Sequence, residues 1–259
     1  MKYSNLPEML EVWQQTLNWQ PDANQRMLFQ QLYELILEGN QQLNLTRITE
    51  PIEFWEKHLW DSLRGIREWE INPIPNPQFP IPNSRIIDIG TGAGFPGIPI
   101  AIAKPSCHVT LLDSTRKKIA FLENLISKLG IENAIALTAR VEEIGQQPKY
   151  RESYDLAVIR AVAAASVCAE YALPLLKVGG LAILYRGQQI EEEVKTLPKV
   201  VEKLGGAIAS IDEFTTPLSN SARHCIYLRK VSPTPAEFPR PVGTPTQKPI
   251  LSNYGKQKH

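Results

Sequence analysis

Four short runs of the chain combine residue types that chemistry could use. The first is Asp88-Ile89-Gly90-Thr91-Gly92-Ala93-Gly94-Phe95-Pro96-Gly97. Its glycines let the backbone turn sharply and approach a ligand closely, Pro96 suits a helix start, and the helix that follows would aim its positive end at the ligand. The second is Leu111-Leu112-Asp113-Ser114-Thr115, in which Asp113 follows Gly90 by 23 residues. A carboxylate at that spacing can accept two hydrogen bonds from a ribose diol. Ser114 and Thr115 suit either a ligand contact or a helix N-cap. The third is Arg140-Val141-Glu142-Glu143, where a backbone N–H and a carboxyl could read the edge of an adenine; Glu142 in isolation reads equally as a surface charge. The fourth is Arg160, a cation set between Ile159 and Ala161-Val162-Ala163 that needs a partner if it is buried.

Two cofactor classes fit the glycine loop. Gly92, Gly94 and Gly97 match the dinucleotide fingerprint G-x-G-x-x-G, which allows an NAD-dependent oxidoreductase. Asp88, Gly90, Gly92 and Gly94 match D-x-G-x-G-x-G, the form typical of S-adenosylmethionine (SAM) methyltransferases. No hydride-transfer constellation accompanies the first reading. For the second, the chain has no [DN]-P-P-[YF] for an exocyclic amine and no Pro-Cys nucleophile for pyrimidine C5, and Cys168 falls inside a helix. Transfer to a ring nitrogen or an oxygen remains. His58, Asp61 and Ser62 invite comparison with a catalytic triad, but His58 and Asp61 are three apart on one helix, which suits capping or packing or an RNA-side pocket better than nucleophilic catalysis. Four scattered histidines give no metal-ligand spacing, so no metal is expected.

Strands and helices must place these runs together. Strand-like segments at 85–89, 108–112, 134–138, 155–159 and 180–185 alternate with helical ones near 96–104, 115–129, 162–176 and 188–204. Short apolar strands alternating with helices predict a mostly parallel sheet covered on both faces, with ligands at the carboxyl ends of its strands. Segments 206–212 and 223–230 read as an antiparallel pair at the sheet's C-terminal edge, which makes seven strands. Ahead of the sheet, Leu6, Met9, Leu10, Trp13 and Leu17 recur at helical spacing. Asp22 suits the N-cap of a second helix, and a third is predicted from Pro51 to Ile66 with Phe54, Trp55, Leu59 and Leu63 inward. Proline density marks the joints: five prolines fall in 73–82 and six in 233–249. The predicted division is a helical extension over 1–72, a Pro-rich linker over 73–83, an α/β domain over 84–231 and a Pro-rich basic tail over 232–259.

Taken as a sum, the formal net charge of +1 on 259 residues disfavours a nucleic-acid partner, but the charge is segregated. Residues 1–83 carry 6 basic and 11 acidic groups, residues 84–222 carry 15 of each, and residues 223–259 carry 7 basic and one acidic. The terminal block, with Arg223, Arg240 and Lys248, is the expected phosphate contact and predicts a positive face near the strands' carboxyl ends. Three distant cysteines, no signal-like start and no long apolar run point to the cytoplasm. A monomer is expected.

The chain resembles the bacterial small-subunit rRNA methyltransferase G family, also called glucose-inhibited division protein B. The resemblance rests on Asn44-Leu45-Thr46, His58-Leu59-Trp60-Asp61-Ser62-Leu63, Asp88 through Ile102, Leu111 through Ser114, Lys117-Lys118 with Phe121-Leu122, Arg140 through Glu143, Arg160 through Ala163, Leu173 through Gly180, and Phe238-Pro239-Arg240 through Lys248-Pro249. It implies a class I SAM-dependent (Rossmann-like) α/β fold and methylation of N7 of one guanine in 16S rRNA. It also implies cofactor contacts at Gly90, Phe95, Asp113, Ser114, Thr115, Val141, Glu142 and Arg160. Arg186 stands in Tyr185-Arg186-Gly187 where the family usually has Lys-Gly, and Arg240-Pro241 stands where consecutive basic residues are usual. Guanine N7 already holds an in-plane lone pair, so no general base is expected, and Arg160 and Arg186 are expected to orient ligand or RNA.

Overall fold

The computed structural model describes residues 3–71, 83–188 and 190–250. Apart from Asn83, the predicted Pro-rich linker lies outside the described residues, as does the tail beyond Ile250.

The chain opens with α1 (Leu10–Leu17) and α2 (Ala23–Asn40). Asp22 caps α2 as its residue type suggested: its carboxylate accepts from the Gln25 backbone N–H, and the Gln25 side chain accepts from the Asp22 N–H. Asp22→Ala is expected to lower unfolding free energy by about 1 kcal/mol in a urea titration. The third predicted helix is longer and less regular than its spacing suggests. It comprises α3 (Pro51–Phe54), a π-helical stretch over Trp55–Trp60, and α4 (Asp61–Ile71). From Phe54 to Ile66 every residue except Lys57 is buried. A helix enclosed on all sides has no polar face to register it, and the wider turn is a local adjustment of the kind found at functional sites. The enclosed Glu56 carboxylate accepts from the backbone N–H groups of Leu218 (2.6 Å) and Ser219 (2.9 Å).

The seven strands are β1 (Arg85–Ile89), β2 (His108–Asp113), β3 (Ala134–Thr138), β4 (Tyr154–Arg160), β5 (Leu176–Arg186), β6 (Gly206–Thr215) and β7 (Ala222–Lys230). Their order is β3-β2-β1-β4-β5-β7-β6. The first five are parallel; β7 runs antiparallel between β5 and β6. Helices α5 (Gly97–Ala103), α6 (Arg116–Leu129), α7 (Val141–Ile144), α8 (Ala165–Ala172), α9 (Glu191–Lys203) and α10 (Thr244–Gln247) complete the described elements.

Alternation along the strands builds two cores. Register aligns Val109, Ile86, Leu156 and Leu181 in one row, facing α1, α2, the π stretch and α6. One residue on, Ile87, Ala157, Ala182 and Leu228 face α8 and α9. The N-terminal helices therefore share a core with the sheet: Trp13, Ile36, Trp60 and Leu63 belong to the same cluster as Ile86, Leu156 and Ile183. The strand order reverses at β1 and β4, and a crevice opens there beyond the carboxyl ends. Among the described residues no helix is long and apolar enough to cross a membrane.

Candidate active site

Two cavities adjoin at that reversal, and Ala161, just after β4, lines both. The first, of about 380 Å³, is walled by Gly90, Asp113, Ser114, Thr115, Val141 and Glu142, with Ala163, Tyr171 and Thr246. The glycine loop closes one side. Asp88 fixes that loop from below: its Oδ2 accepts from Thr91 Oγ1 (2.6 Å) and the Gly97 N–H (2.8 Å). Complete burial pushes its carboxyl up to about 6, against the pull of those two hydrogen bonds. Gly90 adopts φ +71°, and an added Cβ would lie 2.5 Å from Val162 Cγ2 in the cavity wall.

Asp113 ends β2, its carboxylate accepting from the N–H groups of Gly92 (3.2 Å) and Thr115 (2.8 Å). Thr115 holds the N-cap position of α6 with no capping bond from its side chain, so its hydroxyl is not committed to the helix. Glu142 is not the surface charge its sequence context allowed: it is 2% exposed. Its Oε1 accepts from the Gly243 N–H (3.0 Å), Arg140 Nη2 (3.1 Å) and the Tyr171 hydroxyl (3.3 Å). Burial alone would push this carboxyl up; the Gly243 and Arg140 contacts outweigh it and hold the group below the usual glutamate range. Glu142 Oε2 is buried with no hydrogen-bond partner. An orphaned carboxylate oxygen in a cavity wall is a place for a ligand's N–H donor.

The second cavity, of about 430 Å³, is lined by Lys57, His58, Asp61, Arg160, Arg186 and Arg223, among others. Arg160, the last residue of β4, donates to Asp61 Oδ2 (3.1 Å), the Lys57 carbonyl (2.9 Å) and His58 Nδ1 (3.3 Å). A guanidinium can only donate, so Nδ1 accepts and the imidazole proton sits on Nε2, which donates to Thr46 Oγ1 (2.8 Å). Asn40 shapes the Thr46 loop by accepting from the Leu45 and Thr46 N–H groups. Phe95 stacks on His58 with centroids 4.2 Å apart and planes at 6°. The Asn44-Leu45-Thr46, His58–Leu63 and Arg160–Ala163 runs, remote in sequence, thus meet around one guanidinium. Ser62 is excluded as a nucleophile, since it is fully buried and its hydroxyl donates to the His58 carbonyl.

Burial, then the charges of Arg160 and Lys57, depress the His58 imidazole to about 3 from an ordinary 6.5. The folded protein keeps it neutral, whereas the unfolded chain takes up a proton below 6.5. The stability it contributes is present above pH 6.5 and is lost as pH falls toward 3, with a limiting slope of about 1.4 kcal/mol per pH unit. Relative to His58→Phe, the wild type is expected to lose stability more steeply between pH 6.5 and 4.5 in urea titrations. Parallel curves would contradict this.

The predicted positions separate into three places. Gly90, Asp113, Ser114, Thr115, Val141 and Glu142 converge on the first cavity, and Arg160, Arg186 and Arg223 line the second. Phe95 is stacked on His58 and lines neither cavity. Arg240 and Lys248 are at neither as cations. Arg240 is paired with the buried Glu170 (2.6 Å) and donates to the Lys248 carbonyl (2.8 Å). Arg186 reaches the cavity while bonded to Glu193 and to the Ala163 carbonyl (2.7 Å). Four cations, Lys57, Arg160, Arg186 and Arg223, do gather near the strand ends, but the first three come from outside the terminal block and are paired with Glu53, Asp61 and Glu193. Within that block Lys230 is fully buried, donating to the Leu173 carbonyl (2.7 Å). The sequence reading missed Tyr171 and Thr246. Tyr171 lies inside an apolar helix, and Thr246 lies in a segment whose charge drew attention to phosphate instead. Among the described residues no group of His, Cys, Asp and Glu could hold a metal.

A family model described as rRNA small subunit methyltransferase G matches residues 25–226. The protein named ribosomal RNA small subunit methyltransferase G from Trichormus variabilis is 64% identical over 247 residues, covering 95% of this chain and 98% of its own length. Its namesake from Nostoc punctiforme is 62% identical over 245 residues, covering 95% and 98%. Among solved structures, a Galdieria sulphuraria protein described as a sarcosine dimethylglycine methyltransferase superposes with a TM-score of 0.50 at 10% identity, over 67% of this chain and 86% of its own; that likeness concerns the fold.

Proposed function

Since the chain belongs to the rRNA small subunit methyltransferase G family, we propose that it uses SAM to methylate N7 of one guanine in 16S rRNA, acting on the small ribosomal subunit in the cytoplasm. The observation that carries this reading is the pairing of two unlike cavities across Ala161: one sets the Asp113 and Glu142 carboxylates beside Lys118 and Arg140, and the other sets Lys57, Arg160, Arg186 and Arg223 against a single lining carboxylate, Asp61. Carboxylates suit the hydroxyls and amine of a nucleoside, and a lining with more cations than carboxylates suits a polyanion.

The first cavity fits the cofactor. Asp113 would hold its ribose hydroxyls, Glu142 Oε2 its adenine amine, and the Gly90 turn its remaining chain. When bound, SAM supplies an electrophilic methyl group. What remains for the protein is to present the guanine in line, exclude water and supply no base. His58 agrees with that requirement, because both ring nitrogens are committed and its basicity is depressed. Arg160 is the residue placed to orient the base, standing beside the residue that both cavities share.

The test is incubation of purified small subunits, then naked 16S rRNA, with labelled SAM, followed by mapping of the modified nucleotide. Label at guanine N7 of a single site supports the reading. Label on another position, or none on either substrate, overturns it.

A further inference from the structure

The segment after β7 reads in sequence as a basic tail, yet it is fastened to the body at successive points. Arg151 donates to the carbonyls of Thr234 (2.7 Å) and Phe238 (2.7 Å), and Gln146 to that of Pro239 (2.8 Å). Phe238 is buried in the core beneath α8 and α9. Arg240 then meets Glu170 three times, through its backbone N–H (2.9 Å), Nε (2.9 Å) and Nη2 (2.6 Å), and the Glu170 side chain is only 1% exposed. These anchors deliver Gly243, at φ +80°, to Glu142 Oε1, and they set Thr246 in the wall of the first cavity, which Asp113 and Tyr171 also line.

Glu142 is therefore divided. One oxygen is saturated by Gly243, Arg140 and Tyr171, and the other, equally buried, has no partner. A carboxylate fixed at one end by the strap offers its free oxygen in a set direction, which is what recognition of an N–H donor needs.

We propose that residues 240–247 are a wall of the cofactor site: a strap that holds the Glu142 carboxylate in place and closes the adenine end through Thr246. It is not an RNA-binding tail. The proposal rests on the reading of the first cavity as a SAM site. Arg240 and Gly243 act as positioning residues, and Thr246 is the contact.

The test uses the full chain and S-adenosylhomocysteine as probe, with calorimetric titration and amide hydrogen exchange. Wild type is expected to bind the probe and to show slowed exchange over 240–247 on binding. Arg240→Met, which releases the strap, is expected to weaken binding about tenfold or more. Thr246→Trp lies at an exposed position on the cavity rim, so the fold should tolerate it. It is expected to weaken binding by a similar factor while leaving the unliganded melting temperature unchanged. No binding to wild type overturns both this proposal and the SAM assignment. Binding to wild type with neither variant altered and no protection over 240–247 overturns the strap alone. So does loss of rRNA binding in either variant with the probe's affinity intact.

Discussion

Arg160→Met is expected to reduce methyl transfer about 100-fold or more at saturating SAM. The argument starts from Asp61, a buried residue whose side chain is 10% exposed. Burial pushes that group up and the Arg160 charge opposes it. Without the guanidinium the carboxylate has lost its ion-pair partner, and breaking such a pair costs about 3–5 kcal/mol. The same deletion takes the donor from His58 Nδ1 and the cation lying 5.6 Å from the Phe95 ring centroid. The wall between the two cavities then has nothing to register it. Urea titration and turnover on small subunits check both halves of the expectation. The double variant Arg160→Met/Asp61→Leu separates them: replacing a buried pair by apolar residues is close to neutral for folding, so stability should return and turnover should not. Recovery of turnover in the double variant would show that Arg160 serves only to neutralise Asp61.

The second large effect is expected at Gly97 rather than at the motif's first glycine. A Cβ on Gly97 would stand 2.3 Å from Leu111 Cδ2 and 2.8 Å from Asp88 Oδ2. Leu111 is wholly buried in β2 and Asp88 wholly buried beneath the loop, so neither can withdraw. Gly97→Ala is expected to cost about 2–3 kcal/mol of stability, as overpacking in cores does, and to misplace the whole loop. Gly90→Ala meets only Val162, which is 38% exposed and can move. Its folding penalty should be about 1 kcal/mol, from the positive φ alone. Val162, however, yields into the first cavity, so the probe's affinity should fall more than stability does. Thermal melts with and without S-adenosylhomocysteine distinguish the two. Equal losses of stability in both variants would refute this ranking.

Much of the fold was readable because its signals are local. Asp88 to Gly97, Asp113, and the alternation of strands with helices each fall within a run of a few residues, and the observed strands differ from the predicted ones mainly in being longer. Three features depended on distant partners. The burial of Glu142 is set by Tyr171 and Gly243, the latter 101 positions away. Arg240 looked like a free cation because Glu170, its partner, was legible only as a charge interrupting an apolar run. The π-helical stretch lies in one buried cluster with residues of α1, α2 and the sheet, and periodicity within a single helix cannot report that. In the other direction, the resemblance drew attention to the Thr46, His58 and Arg160 runs without giving a reason. The hydrogen bonds supply one, since each run contributes a group to the same guanidinium network.

The single core joining the N-terminal helices to the sheet also bears on how the chain is made. Trp13, Trp55 and Trp60 emerge early in synthesis, yet they are almost completely buried in the finished protein. Two bonds that seat α4 come from far downstream: the Tyr185 hydroxyl donates to the Ser62 carbonyl and the Tyr227 hydroxyl to that of Gly65, across separations of 123 and 162 residues. Because β7 threads between β5 and β6, the sheet edge cannot form until nearly the whole enzyme has been translated. At elongation rates of about 5–20 residues per second the nascent helices wait roughly ten seconds or more before those partners emerge. The indoles of the N-terminal helices are thus covered completely only once β5 and β7, which carry Tyr185 and Tyr227, have been made.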